Sequence, residues 1–312
     1  MKKISIMVPC YNEEENVIPM SKALVRELSK LPEYDYEILF IDNCSFDKTR
    51  ENLRRICREN PKIRAIFNSK NFGQFNSPYY GLCQTTGDCA ISICCDFQDP
   101  VEMIPRFIAE WERGYKIVCA VKTSSKESRL MYFLRSVYYK MIRKLSKVEQ
   151  IEHFTGFGLY DKSFIKVLRE LGDPTPFIRG IVAELGPKIK KIEYRQAERR
   201  AGKTSNNLFS LYDAAMLSFT SYTKAAVRAS SFLGILMVGG GLLSAFVCLL
   251  LKISNPEYFF ATPTAAIILT TVIVGGLILF FLGFIGEYVM SINARIMNRP
   301  LVIEEERINF DK

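Results

Sequence analysis

The sequence predicts an α/β domain on a doubly wound, mainly parallel sheet, followed by a hairpin of two membrane-crossing helices. Three observations carry this reading. Short apolar runs alternate with helix-period stretches over the first 120 residues, each of the first four runs ends in polar residues, and two long uncharged runs close the chain.

The strand candidates are Ile4 to Val8, Glu37 to Ile41, Ile63 to Phe67, Ala90 to Cys95 and Ile117 to Val121, all short and partly β-branched. Val17, Leu24, Leu28 and Leu31 between the first two recur at the spacing of one helix face, and the only tryptophan, Trp111, lies in an amphipathic helix before the fifth. Such alternation builds a parallel sheet, and ligands of these sheets bind in the crevice beyond the carboxyl ends of the strands. Four loops deliver polar residues to that rim: Tyr11, Asn12 and Glu13; Asp42, Asn43 and Ser45; Asn68 and Asn71; Asp96, Gln98 and Asp99. Asn12 ahead of Glu13, Glu14 and Glu15 reads as a helix N-cap with an acidic first turn, and Ser45 or Asp47 as the cap of the next helix. Asp42 and Asp96 end apolar strands and cap nothing obvious, which points to a ligand for their charge.

From Arg129 to Lys147, apolar residues from Leu130 to Leu145 form one helix face, and Arg135, Lys140, Arg143, Lys144 and Lys147 occupy the rest. A basic amphipathic helix of this kind suits a membrane surface, and so does a second at about 208–227. A core-facing helix with a solvated basic side is the rival reading. Ser230 to Leu251 and Tyr258 to Gly286 contain no Asp, Glu, Lys or Arg and are long enough to cross a bilayer, with Lys252 to Glu257 as the turn. Buried helices of a large soluble core are usually shorter and keep a polar face. The expected organisation is therefore a domain over 1–229, a membrane hairpin over 230–290 and a tail over 291–312.

Lys224 and Arg228 before the first span and Arg295 and Arg299 after the second outnumber Lys252 in the turn, which puts both chain ends in the cytoplasm. Nine cysteines without a CxxC pair point to a reducing compartment, several of them as buried small hydrophobes, and the N-terminal apolar run stops at Pro9, too short for a signal peptide. The formal net charge of +9 falls outside the uncharged spans and implies an anionic partner: nucleic acid, acidic lipid or a phosphorylated substrate. No RNA-module signature, zinc-finger spacing or basic coiled coil supports nucleic acid.

Absences narrow the chemistry. No GxGxxG follows the first strand and no GxxxxGK[ST] occurs, so a diphosphate needs another counter-charge. A hard divalent cation on the oxygens of Asp96, Gln98 and Asp99 is the economical solution. A single histidine, His153, leaves little room for a zinc hydrolase or a Ser-His-Asp triad.

Ile6 to Val17 (IMVPCYNEEENV), Ile41 to Thr49 (IDNCSFDKT), Asn71 to Gly73, Gly87-Asp88 and Asp96 to Glu102 (DFQDPVE) resemble, in order and spacing, family 2 glycosyltransferases of the GT-A fold. Arg179-Gly180, Tyr194, Arg199 to Asn207 (RRAGKTSNN), the two spans and Gly286-Glu287-Tyr288 resemble the polyprenyl-phosphate branch, which includes bactoprenol glucosyltransferases and dolichyl-phosphate mannose synthases. The resemblance implies that Pro9, Tyr11, Glu13, Asp42 and Asn71 hold the nucleotide of a nucleotide-sugar donor. It implies that Asp96 and Gln98 bind Mg²⁺ or Mn²⁺, with Asp96 and Asp99 catalytic. Arg199 and Thr204, with Arg129 and Arg135 of the basic helix, are the expected contacts to a polyprenyl (undecaprenyl) phosphate acceptor. Inversion at the anomeric carbon, a bacterial inner membrane, a cytoplasmic catalytic domain and a homo-oligomer belong to the same expectation. UDP-glucose is the expected donor, ahead of UDP-N-acetylhexosamine or GDP-mannose.

The sequence departs from the family at three points. Cys94 stands where the metal motif commonly begins with Asp, Asp42-Asn43 replaces an Asp-Asp pair, and Thr155 to Leu159 (TGFGL) replaces Gly-Asp-Phe-Arg-Leu. A polyprenyl monophosphate is already largely dianionic at neutral pH, so its oxygen needs no strong base. A processive polysaccharide synthase would carry a Gln-x-x-Arg-Trp motif and more spans, and a non-catalytic sugar-nucleotide sensor would share the whole pattern without turnover.

Overall fold

The computed structural model of the protein describes residues 1–124, 148, 150–197, 199–201, 263–297 and 299–310, with isolated residues between 213 and 250. The basic helix expected at 129–147 lies outside the described residues, and of the expected helix at 208–227 and the first span only scattered residues are described. All five expected strands are present, as β1 (Lys2–Cys10), β2 (Tyr34–Asp42), β3 (Ile63–Asn68), β4 (Cys89–Ser92) and β5 (Ile117–Ser124). With β6 (Phe154–Asp161), β7 (Ile189–Arg195) and β8 (Glu304–Ile308) they form an eight-stranded sheet in the order β7-β5-β6-β4-β1-β2-β3-β8. Parallel pairing joins β1 to β2 and β4, β2 to β3, and β5 to β7. Strands β6 and β8 run antiparallel to their neighbours.

Period-2 alternation sends side chains to both faces, and helices cover each. Ile4, Ile6, Val8, Ile38 and Phe40 pack against α1 (Val17–Leu28), α2 (Thr49–Glu59) and, farther along, α4 (Ile104–Glu112). Met7, Leu39, Ile41 and Ile66 share the opposite core with α3 (Gly73–Cys83), α5 (Lys162–Leu171) and α6 (Ile178–Leu185). Each such side chain, fully buried, contributes about 1.5–3 kcal/mol against exposure. Trp111 of α4 donates its indole N–H to Asp161 Oδ2 at 2.7 Å, which ties that helix to the end of β6. At Gly158 of β6 a Cβ would come within 2.3 Å of the Val118 carbonyl, so the backbones of β5 and β6 approach as only glycine permits.

Strand β4 stops at Ser92, short of the expected Cys95. The Cys94 amide leaves the ladder and donates to the Asp99 carboxylate at 3.3 Å, which turns the chain into the rim loop.

Helix α7 (Pro263–Ile296) has 34 residues, about 50 Å at 1.5 Å per residue, longer than a hydrocarbon core of about 30 Å. Among the described residues it is the one helix long and apolar enough to cross a membrane, over Val274–Ile296 with a mean hydropathy of 1.8. That stretch extends beyond the expected Gly286, through Glu287 and Tyr288. Tyr288 Oη donates to the Thr223 carbonyl at 2.6 Å, and Arg295 pairs with Asp173, between α5 and α6, at 3.1 Å. The chain after α7 then returns to the domain: β8 completes the sheet against β3, where the sequence suggests only a tail.

At the opposite end of the strands from the rim, Glu37 is 2% exposed. It accepts from Ser5 Oγ at 2.6 Å and from the Thr86 amide and hydroxyl at 2.6 and 2.7 Å, and it pairs with Lys3 at 2.8 Å and Arg64 at 2.9 Å. Burial alone would raise its pKa; the bonds from Lys3, Ser5 and Thr86 outweigh burial and hold it below the usual carboxylate range. One side chain thus fastens β1, β2, β3 and the turn before β4. A carboxyl with a lowered folded pKa stabilises above its unfolded value of about 4.3 and loses that contribution as pH falls through the folded value. Glu37→Gln should therefore cost about 2–3 kcal/mol at pH 7, the partners being partly exposed, and thermal unfolding in detergent should show the gap from wild type closing below about pH 4. Equal melting at pH 7 would contradict this role.

Candidate active site

The parallel strands β1 to β4 all end at one rim, and β1, β2 and β3 bring Cys10, Asp42 and Phe67 into one row across the sheet. The loops that follow are laced to one another. The Asn12 amide donates to Ser45 Oγ at 2.8 Å, the Phe46 amide to Asn12 Oδ1 at 3.0 Å, the Glu13 amide to Thr49 Oγ1 at 2.7 Å and the Asn43 amide to the Cys10 carbonyl at 2.9 Å. Asn12 is thus a tie between loops and not the expected helix cap; α1 starts only at Val17, after Asn16. Glu14 and Asp47 do hold structure, accepting from the Lys48 amide at 2.9 Å and the Thr49 amide at 2.9 Å. Asn12, Cys44 and Phe97, one in each of three rim loops, have φ values of 55°, 65° and 61°. Asn tolerates that left-handed region; Cys and Phe occupy it at a cost of about 1–3 kcal/mol, the kind of strain that collects at functional sites.

The expected nucleotide residues meet here. Pro9 and Tyr11 are half-buried at the end of β1, and Tyr11 packs edge-on against Phe46 with ring centroids 5.6 Å apart. Phe46 is 77% exposed and offers an aromatic face that the sequence reading passed over; its one signal was a lone aromatic in a polar loop. Glu13 accepts from Asn16 Nδ2 at 2.6 Å, and burial, against that bond, raises its carboxyl pKa. Asp42 is fully buried. Its Oδ2 accepts from the Ser45 amide at 3.2 Å and faces Arg50 Nε at 3.2 Å, whereas Oδ1 has no hydrogen-bond partner among the described residues. Burial raises the Asp42 pKa, opposed by the Ser45 bonds and the Arg50 charge.

Asn71 Oδ1 accepts from Asn43 Nδ2 at 2.8 Å and from the Gly73 amide at 2.8 Å, so this residue shapes the third loop. Asn43 also accepts, from Asn68 Nδ2 at 3.1 Å and the Phe72 amide at 2.9 Å. An aspartate there has no proton to give Asn71, which explains why Asn follows Asp42 in this chain.

In the fourth loop Asp96 is 6% and Asp99 3% exposed. Asp96 Oδ1 accepts from the Gln98 amide at 3.1 Å and Oδ2 pairs with Arg199 at 2.9 Å. Arg199 belongs to a segment laid over this loop: the Ala197 amide donates to the Gln98 carbonyl at 3.2 Å, the Arg200 amide to the Asp96 carbonyl at 3.3 Å, and the Arg200 guanidinium sits 5.3 Å from the Phe97 ring centre. Asp99 accepts from Tyr194 Oη at 2.8 Å as well as from the Cys94 amide; burial raises its pKa and these two donors oppose the rise. Tyr194 packs edge-on against Phe157 at 5.4 Å, a setting that sequence reasoning did not reach. Cys94 is exposed beside the two aspartates.

No group of three His, Cys, Asp or Glu side chains suited to a metal occurs among the described residues. Asp96 and Gln98 offer oxygen donors of the kind that Mg²⁺ and Mn²⁺ take, although here Asp96 Oδ2 pairs with Arg199 and Oδ1 with the Gln98 amide. Arg129, Arg135 and Thr204 lie outside the described residues.

Comparison with known proteins identifies the family. The chain is 31% identical over 308 residues to a protein of Bacillus subtilis named as an uncharacterized glycosyltransferase, YkcC, covering 98% of this chain and 94% of that one. It is 30% identical to a prophage-derived bactoprenol glucosyl transferase of Shigella flexneri, over 96% of this chain and 97% of that one. It is 29% identical to the bactoprenol glucosyl transferase of Shigella phage SfX, over 98% and 99%. The model of glycosyl transferase family 2 matches residues 5–169, which span the rim loops from β1 to β4 and strand β6, and the chain belongs to that family.

Proposed function

We propose that the protein transfers a sugar from a nucleotide sugar, UDP-glucose first among the candidates, to a polyprenyl phosphate at the cytoplasmic face of a membrane, with inversion at the anomeric carbon. The observation that carries this is the set of three buried carboxylates on one rim, Asp42, Asp96 and Asp99, beside an exposed aromatic and an arginine. The lipid acceptor and the glucosyl donor are supported by the bactoprenol glucosyl transferases, which match nearly end to end. The membrane setting is supported by α7.

In this reading Asp42 Oδ1 accepts an N–H or O–H of the nucleoside, and Tyr11 and Phe46 flank the base. Asp96 and Gln98 would hold Mg²⁺ or Mn²⁺, which when bound would offset the charge of the departing diphosphate. Asp99, held by Tyr194 and the Cys94 amide, orients the sugar. The acceptor phosphate oxygen forms the new bond to the anomeric carbon as the bond to the diphosphate breaks, and its dianion carries no proton that must be removed. Arg199, beside the metal loop, contributes positive charge where two anions converge, and Arg129, Arg135 and Thr204 are proposed to complete the acceptor side.

The test is transfer of radiolabelled sugar into lipid by membranes carrying the full-length chain, supplied with polyprenyl phosphate and, in turn, UDP-glucose, UDP-N-acetylglucosamine and GDP-mannose. Label should enter the lipid from UDP-glucose. Binding of a nucleotide sugar without transfer from any of the three would instead favour a sensor, a reading that Cys94 in place of an acid keeps in view.

Asp96→Asn should abolish transfer while the protein stays folded and membrane-bound. Retention of more than about a tenth of wild-type turnover, under about 1.4 kcal/mol of barrier, would refute the metal assignment. Cys94→Asp sets a third carboxylate beside Asp96 and Asp99 and should tighten Mn²⁺ binding in equilibrium dialysis. Weaker Mn²⁺ binding by that variant would place the metal away from this loop.

A further inference from the structure

The C-terminal strand reaches the rim through one arginine. In register, Glu306 of β8 stands opposite Phe67 of β3, which stands opposite Asp42 of β2, so the last strand extends the same row that ends in Cys10 of β1. Two arginines one turn apart on α2 cross this row above Phe67, with guanidinium carbons 5.1 Å (Arg50) and 4.8 Å (Arg54) from its ring centre. Among the described residues Arg54 forms its ion pair with the strand, through Glu306 at 2.7 Å, and none with Asp42. Arg50 is shared: Nη2 meets Glu305 at 2.7 Å, and Nε lies 3.2 Å from Asp42 Oδ2. That second contact is close enough for an ion pair but is not aligned as a hydrogen bond. The Arg50 side chain is 19% exposed and Asp42 fully buried, so little water screens this end of the chain of charges, whereas Glu305 is 53% exposed. Strand β8 lies outside the matched family region.

We infer that Arg50 is a positioning residue for donor binding, which sets a cation against Asp42 and keeps it aimed, and that Glu305 of the C-terminal strand holds Arg50 in place, so that the segment following α7 is part of the donor site. The inference rests on the assignment of Asp42 to the donor. Losing Arg50 removes the cation facing a buried carboxylate; losing Glu305 lets the guanidinium swing towards water. Arg54 provides the control, because it grips the same strand without touching Asp42.

The experiment is calorimetric titration of full-length wild type, Glu305→Gln, Arg50→Gln, the double variant and Arg54→Gln with UDP in the presence of Mn²⁺, with melting temperatures and steady-state kinetics alongside. Arg50→Gln should weaken UDP about tenfold and Glu305→Gln about threefold. The double variant should match Arg50→Gln within about twofold, because Glu305 acts through Arg50. Donor KM should rise in step, with kcat at saturating donor within about twofold. Arg54→Gln should melt earlier yet bind UDP as wild type does. Unchanged UDP affinity in Glu305→Gln, multiplied effects in the double variant, or equal weakening by Arg54→Gln would each overturn the inference. Failure of the wild type to bind UDP would overturn the donor assignment instead.

Discussion

Everything at the rim depends on carboxylates held out of water at the ends of parallel strands. Asp42, Asp96 and Asp99 are between 0% and 6% exposed, and a buried carboxylate without enough partners costs several kcal/mol. Among the described residues Asp99 has two donors, from Tyr194 and Cys94, and Asp96 an arginine and an amide, but Asp42 keeps an oxygen with no hydrogen bond. Raised pKa values at Asp42 and Asp99, with burial as the largest cause, express the same tension. A ligand that brings hydrogen-bond donors or positive charge would relieve it.

The rest of the domain is arranged to hold those groups apart from their own loops' collapse. Side chains of one loop satisfy the backbone of the next, as Ser45, Asn12 and Thr49 do between the first two and Asn43 between the second and third. The left-handed Cys44 and Phe97 sit in the loops that lead from β2 to α2 and from β4 to α4, where neighbouring side chains and amides are already bonded. Below the rim two apolar layers clamp the sheet, and at its far end the Glu37 network sets the register of three strands. Beyond it, the Arg295–Asp173 pair ties the long apolar helix α7 to this frame, and β8, which follows that helix, completes the sheet.

Much of this is legible in the sequence. Strands β1 to β5 announce themselves because a sheet covered on both faces demands uninterrupted apolar runs, and Asp42 and Asp96 stand out because an acid ends such a run. Strands β6 to β8 lack that mark. Thr155 to Leu159 mixes two glycines with one aromatic, Ile189–Arg195 alternates with charge at an edge, and in Glu304–Ile308 two of the three consecutive glutamates, Glu305 and Glu306, pair with arginines 255 and 252 residues earlier. For the same reason Tyr194 on Asp99 and Arg50 between Asp42 and Glu305 escaped notice, since nothing local requires them. Phe46 was visible but bland, and Asn43 looked like a loss of charge until its amide proved to be a donor to Asn71.

The central claim is that this rim binds a nucleoside diphosphate together with a divalent cation. Its most direct test is calorimetric titration of the full-length protein with UDP-glucose, once with Mn²⁺ and once with EDTA. The account predicts saturable binding with Mn²⁺ and at least about tenfold weaker binding with EDTA, because Asp96 then faces a diphosphate of like charge. Equal affinity in the two conditions would contradict it.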